Sequence, residues 1–402
     1  MTAIPRYRVH EGTAILSAGF RPFFLGSSIW AAIGVPLWLC AYTSGLIVPT
    51  QLPPSIWHAH EMIFGFAAAT VAGFLLTAIP NWTGRLPLQG RPLAALVFLW
   101  AAGRVAVLLS TTVGATAAAV ADLSFPAAFL AVVAREIIAG RNWRNLPMLG
   151  ALSLLLIGNL LVHLDTLGIA DTAQIGNRLG LVTLFSLISL VGGRIIPSFT
   201  RNWLTKARSN VPPPAAESRF DVGALVVTAV ALLSWAIVPD TPATSLAVVI
   251  AGATGALRLS RWRGLHTGGE PLLLILHIGY GWLALGLLLL GFNGLAGVLP
   301  ATAALHVLTV GAIGTMTLAV MTRATLGHTG RPLAAGPVTK AIYGLVTIAA
   351  ILRVVSPFAG THMELALWVA GATWSGAFGL FALFYGAALV QPRIGGLAGQ
   401  PI

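Results

Sequence analysis

Apolar residues run along this chain in long blocks separated by short polar links, and the block length matches what a bilayer requires. A helix needs about 20 apolar residues to cross the hydrocarbon core. Twelve runs meet that length, at 20–43, 55–79, 92–111, 114–134, 146–167, 176–197, 221–238, 242–258, 271–292, 299–321, 337–355 and 364–390. The pattern predicts an all-α, polytopic membrane protein, here read as a single integral membrane domain over residues 1–402. Helices 1–6 fall within 1–199 and helices 7–12 within 221–402. Between them, "TRNWLTKARSNVPPPAAESRF" at 200–220 is basic and carries three consecutive prolines, so it reads as a cytoplasmic linker.

Composition agrees with the block pattern. Of 402 residues 57% are hydrophobic and only 8% charged, against roughly 25% charged in a soluble domain. Mean hydropathy is +0.87. The N-terminal segment lacks the short apolar block and small-residue cleavage site of a secretory signal. One cysteine, Cys40, excludes an intramolecular disulfide and any cysteine-based zinc or iron–sulfur site.

The net charge of +12 raises the question of nucleic acid, and its distribution answers it. Arginine and lysine gather before helix 1 and in the links after helices 2, 4, 6, 8 and 10. Examples are Arg85 and Arg91, Arg135 to Arg144, Arg201 to Arg208, then Arg258, Arg261 and Arg263, and Arg331. The alternate links hold almost none. The positive-inside rule then places both termini in the cytoplasm. The basic balance reflects topology, and no nucleic acid is expected as a partner.

An internal repeat organises the helices. Helix 2 reads "HEMIFGFAAATVAGFLLTAIPNWTGR" from His60, and helix 10 reads "HVLTVGAIGTMTLAVMTRATLGHTGR" from His306. Each has glycine five residues on (Gly65, Gly311) and then Thr-Gly-Arg at the same spacing, ending at Arg85 and Arg331. Helix 6 gives a fainter echo, with "IIPSFTRNW" over "AIPNWTGRL" and Asn177 at the histidine position; Arg194 then coincides with Arg323. Helices 2, 6 and 10 are four apart, which suggests three four-helix units around a pseudo-threefold axis. In the Thr-Gly-Arg loops glycine closes the helix, and arginine meets the last carbonyls or lipid phosphates.

Ionisable groups inside a bilayer are functional candidates because they are expensive there. Placed by depth at 1.5 Å per residue, Arg104 on helix 3 and Asp122 on helix 4 reach the same level and predict a buried ion pair. Several histidines map towards the outer side: His58 and His60 at the mouth of helix 2, His163 on helix 5, His306 on helix 10 and His362 before helix 12. Arg178 and Arg353 lie in the same third, whereas His277 maps near the inner third of helix 9. Neutral imidazoles at one depth suit haem iron, copper or zinc. Two of them on repeat-related helices, His60 and His306, suit the two axial positions of a haem. His58 and His60 point about 200° apart on an ideal helix, so His58 is left for a second metal, with Glu61 behind it as an outer acceptor. His163 and His277 are further metal candidates, with copper the metal considered for His58 and His163. Arg178 and Arg353 are candidates for haem propionates. His328 in the second Thr-Gly-Arg loop reads as structural, and His10 and His266 as loop residues. No nucleophilic triad, paired catalytic carboxylates or dinucleotide fingerprint is present.

These residues resemble a known family. "GFRPFFLGSSIWAA" at 19–32, "WHAHEMIFGFAAATVAGFLLTAIPNWTGR" at 57–85 and "VMTRATLGHTGRPL" at 320–333 are similar to the NnrS family. The resemblance implies a bacterial inner-membrane protein associated with haem, of b type, with copper, and with the response to nitric oxide. A fold-level likeness to the catalytic subunit of haem-copper oxidases also exists, with twelve helices in three arcs and haem histidines on helices 2 and 10. The chain departs from that pattern: it has no His-His pair on helix 7, no His-xxx-Tyr on helix 6 and no His-x-His on helix 10. The usual oxidase copper site is therefore missing.

The expected function is that of an NnrS-like haem- and copper-binding protein of nitric oxide resistance. Its partners would be lipid, nitric oxide or a related diatomic molecule, and an unidentified electron donor, with an oxidoreductase activity left open. The rivals are a secondary transporter of metal, haem or a small anion, and a haem or copper storage or assembly factor. The parallel sense of the repeat disfavours the transporter, whose repeats are often inverted.

Overall fold

The computed structural model describes residues 12–394; His10 and both termini lie outside them. Twelve helices are long and apolar enough to cross a membrane, and no strand occurs among the described residues. They are span 1 (Phe20–Thr43), span 2 (Pro54–Thr83), span 3 (Arg91–Leu108), span 4 (Ala115–Ala139), span 5 (Trp143–Thr166) and span 6 (Ala173–Lys206). Span 7 (Arg219–Ile237), span 8 (Pro242–Ser260), span 9 (Pro271–Ala296), span 10 (Ala301–His328), span 11 (Pro337–Phe358) and span 12 (Gly360–Val390) follow. The apolar blocks thus predict every span to within a few residues at most ends. Spans 6 and 10 run several residues further than hydropathy alone suggests, because their last turns carry polar residues on a helix already propagated.

The chain forms two compact units. The first comprises residues up to Gly180 with Met321–Leu333 and the segment from Phe378; the second comprises Leu181–Val320 and Ala334–Ala377. Small residues set the helix packing in each, as expected where lipid offers no hydrophobic drive and close backbone approach supplies the contact. In the first unit a Cβ on Gly158 of span 5 would lie 2.7 Å from the Gly176 carbonyl oxygen, and one on Gly103 of span 3 would lie 2.9 Å from Asp122 Cα. In the second, Gly252 of span 8 faces Leu288 N and Gly291 of span 9 faces the Ser245 oxygen, each with room for hydrogen only.

The repeat appears in the backbone. Span 2 widens into a π-helical segment at Glu61–Ala67, and span 10 does so at Val307–Gly314, each beginning directly after its histidine. The Thr-Gly-Arg loops match too, with left-handed glycines at Gly84 (φ 70°) and Gly330 (φ 76°), a conformation that glycine adopts without steric penalty. Span 6 also has a π segment, Ile188–Gly192. It lies further along the helix than the sequence echo would put it. One residue expected in a link is not there: span 8 continues to Ser260, so Arg258 is only 2% exposed.

Candidate metal centre

The first unit buries a polar cluster that begins at the wide turn of span 2. Such turns carry i→i+5 bonds and are frequent at functional sites. Here the turn frees the Gly65 carbonyl, which accepts from Trp100 Nε1 at 2.9 Å. It also directs His60 and Glu61, both 0% exposed, towards spans 3, 4 and 5. Glu61 Oε1 lies 3.0 Å from His60 Nδ1 and accepts from Arg104 Nη1 at 2.7 Å. Arg104 Nη2 donates to Asp122 Oδ1. The second Asp122 oxygen accepts from Asn159 Nδ2 and lies against His163 Nε2, both at 2.9 Å. His60 Nε2 closes the ring, 2.8 Å from Asn159 Oδ1 and 3.1 Å from Asp122 Oδ2.

The protonation logic follows from the donor inventory. Carboxylates accept only, and the bond from Asn159 Nδ2 to Asp122 turns the amide oxygen towards His60. Both His60 nitrogens therefore face acceptor oxygens. Glu61 and Asp122 bring two negative charges against one positive charge on Arg104, a deficit that a proton or a bound cation offsets. An uncompensated buried charge would be far more costly than a buried pair. His60, Asp122 and His163 each offer one ligand atom, and the three atoms lie within 4.8 Å of one another. A metal ion there would bind ring nitrogens in place of protons.

The structure thus brings together His60, Glu61, Arg104, Asp122 and His163 from spans 2 to 5. Expected behind His58, Glu61 instead meets His60. His58 is half-buried and stacks on Trp38, ring centroids 4.3 Å apart. Arg178 is half-buried in the first unit. His306, His277 and Arg353 belong to the second. There His306 Nδ1 donates to the Thr302 carbonyl at 2.6 Å. His277 Nε2 lies 3.0 Å from Thr200 Oγ1, and Arg353 Nη1 donates to Ser356 Oγ at 3.4 Å.

Asn159 is the member that sequence reasoning missed. It sits four residues before His163, hence on the same helix face, and a polar amide one turn from a buried histidine was the available signal. Also missed was a second buried polar cluster, in the second unit. Arg258 Nη1 donates to Tyr280 Oη at 2.9 Å and to the Ser189 carbonyl at 3.3 Å, while Nε reaches Asp221 Oδ1 at 3.4 Å. The Arg258 guanidinium also stands over the rings of Trp262 and Tyr280.

A polytopic membrane protein with a buried carboxylate–histidine–arginine centre is the class that fold and site define. The family model described as NnrS protein matches residues 14–393, and the chain belongs to the NnrS family. No curated protein matches it.

Proposed function

We propose that the chain is a metal-binding protein of the bacterial cytoplasmic membrane that acts in the nitric oxide response, with a redox metal held by His60, Asp122 and His163. The observation that carries this reading is the convergence of three ligand atoms from spans 2, 4 and 5 within 4.8 Å. Two imidazoles and a carboxylate suit iron and copper. Asn159 and Arg104 hold Asp122, and Glu61 holds His60 Nδ1, as outer groups do around bound metals, while Asn159 Oδ1 would give up His60 Nε2 to the ion. A metal so held would supply redox chemistry and a place for a small ligand to bind, and nitric oxide is the ligand the family implies. Being small and apolar, nitric oxide reaches a buried site through lipid.

Haem is the other group the family implies, and the histidines differ in their fit to it. His60 is fully buried, with Nε2 packed 2.8 Å from Asn159 Oδ1 and 3.1 Å from Asp122 Oδ2, which suits an ion between these groups rather than a macrocycle. His306 is half-buried with Nδ1 anchored on the Thr302 carbonyl, so it would hold haem iron through Nε2. The haem role is accordingly proposed for His306 and the metal-ion role for His60. Arg353, in the same unit as His306, remains a proposed propionate partner, and turnover would draw on an external electron donor.

Metal analysis and the optical spectrum of the purified protein test this. A stoichiometric non-haem metal is expected in the wild type, lost in His60→Ala and in His163→Ala and kept in His306→Ala. The Soret band should vanish in His306→Ala and persist in His60→Ala. Unchanged metal content in both His60→Ala and His163→Ala would overturn the metal centre.

A further inference from the structure

The two Thr-Gly-Arg loops are copies of one motif with different surroundings. After Gly84, Arg85 Nε donates to Glu136 Oε2 at 2.5 Å. After Gly330, Arg331 meets no carboxylate among the described residues. Its Nη2 lies 3.5 Å from the Gln391 side-chain oxygen, and its Nη1 is buried with no hydrogen-bond partner.

Further positive charge is packed around Arg331. Arg21, 4% exposed, donates Nη1 to the carbonyl oxygens of Ala388, Leu389 and Gln391 at 3.3, 2.8 and 2.7 Å. Gln391 therefore joins the two arginines, its backbone oxygen taking Arg21 and its side-chain oxygen Arg331. A Cβ on Gly330 would lie 3.2 Å from Arg393 Cγ, which brings a third arginine to the loop. Among the described residues of these segments, 12–30, 321–333 and 378–394, the sequence holds no carboxylate. Like charges this close repel unless an anion intervenes, and a buried N–H without an acceptor is destabilising by itself.

We propose that Arg331, with Arg21 and Arg393 supplying charge, receives a phosphate-bearing anion at the end of spans 1, 10 and 12 that the positive-inside rule places in the cytoplasm. The guanidinium fork matches phosphate oxygens, and basic recesses at cytoplasmic helix ends take anionic lipid headgroups. In the first loop Glu136 fills this role from within the chain; in the second the anion comes from outside. The same chemistry is offered by a lipid headgroup and by free phosphate.

Full-length protein in nanodiscs distinguishes the two sources. Discs of phosphatidylcholine alone, with added phosphatidylglycerol, or with inorganic phosphate in solution are compared by thermal unfolding and by retained lipid in native mass spectrometry. Phosphatidylglycerol should raise the unfolding temperature of the wild type and survive delipidation. Arg331→Gln should weaken this retention about fivefold, the effect of one basic residue at an anionic surface. Arg331→Lys, which keeps the charge and guards against misfolding, should fall between, and Arg85→Gln should retain lipid as the wild type does. If inorganic phosphate in phosphatidylcholine discs reproduces the stabilisation, and Arg331→Gln abolishes it, the anion is free phosphate and the site stands. Equal stabilisation and retention in wild type, Arg331→Gln and Arg331→Lys would overturn the proposal, as would equal loss in Arg85→Gln.

Discussion

Two buried arginines, Arg104 in the first unit and Arg258 in the second, hold comparable positions and end in different chemistry. Each is at most 3% exposed and bonds to a residue of a π-helical segment, Glu61 in one case and Ser189 in the other. Arg104 is outnumbered by two carboxylates, with two imidazoles closing the cluster. Arg258 has one carboxylate, Asp221, which it shares with Arg261 at 3.5 Å, and it also donates to the neutral oxygens of Ser189 and Tyr280. The first cluster is short of positive charge and invites a cation. The second already holds enough and acts as a brace between spans 6, 7, 8 and 9. The acid count around a common device decides between a site and a strut.

The largest effect that separates the two should come from removing each cation. Arg104→Met leaves Glu61 and Asp122 as uncompensated buried charges and should destabilise the protein by about 3–5 kcal/mol. Arg258→Met leaves Asp221 with Arg261 and should do distinctly less damage. Reversible unfolding in detergent measures both, and equal losses would erase the distinction. A middle-sized effect comes from space. A Cβ on Gly65 would meet Arg104 Nη1, Glu61 Oε2 and Trp30 Nε1 at 2.8, 2.9 and 3.0 Å, so Gly65→Ala should cost about 1–3 kcal/mol. In the second unit a Cβ on Gly255 would find its nearest neighbour, Ala284 Cβ, at 3.6 Å. Gly255→Ala should therefore be neutral or slightly stabilising in the same assay. The smallest effect is that of Tyr280→Phe, which removes one acceptor from Arg258 while Ser189 and Asp221 remain. A loss of about 1 kcal/mol is expected, with metal content unchanged; loss of metal in this variant would show that the brace is not separate from the site.

Much of this was legible in the sequence, for identifiable reasons. Spans announce themselves because hydrocarbon excludes polar side chains over a fixed length. Arg104 and Asp122 could be matched because depth along an antiparallel helix pair is simple arithmetic, and the structure brings them into contact. The helix 2 and helix 10 repeat was readable from spacing, and it carries through to wide turns in the same register. What the sequence hid was rotation. An ideal helix sets Glu61 one turn from His58, whereas the π segment beginning at Glu61 alters the turn and leaves its carboxylate on the His60 ring. Arg258 was hidden differently: counting it as a topological charge at a helix end overlooked that span 8 outlasts its apolar block. Arg258 then had no predicted partner, and neither Ser189 nor Tyr280 carried a charge to draw attention.

The Arg104–Asp122 contact also bears on how the chain enters the membrane. Each of these residues alone opposes insertion of its helix by about 2.5–3.5 kcal/mol at the bilayer centre. They stand only 18 residues apart on consecutive spans, so a nascent hairpin of spans 3 and 4 can enter as one nearly neutral piece. Glu61, synthesised earlier, has to wait for that hairpin before its charge is matched, and Asn159 and His163 arrive only with span 5. The charges of this region are therefore matched only once spans 2 to 5 are all in the membrane.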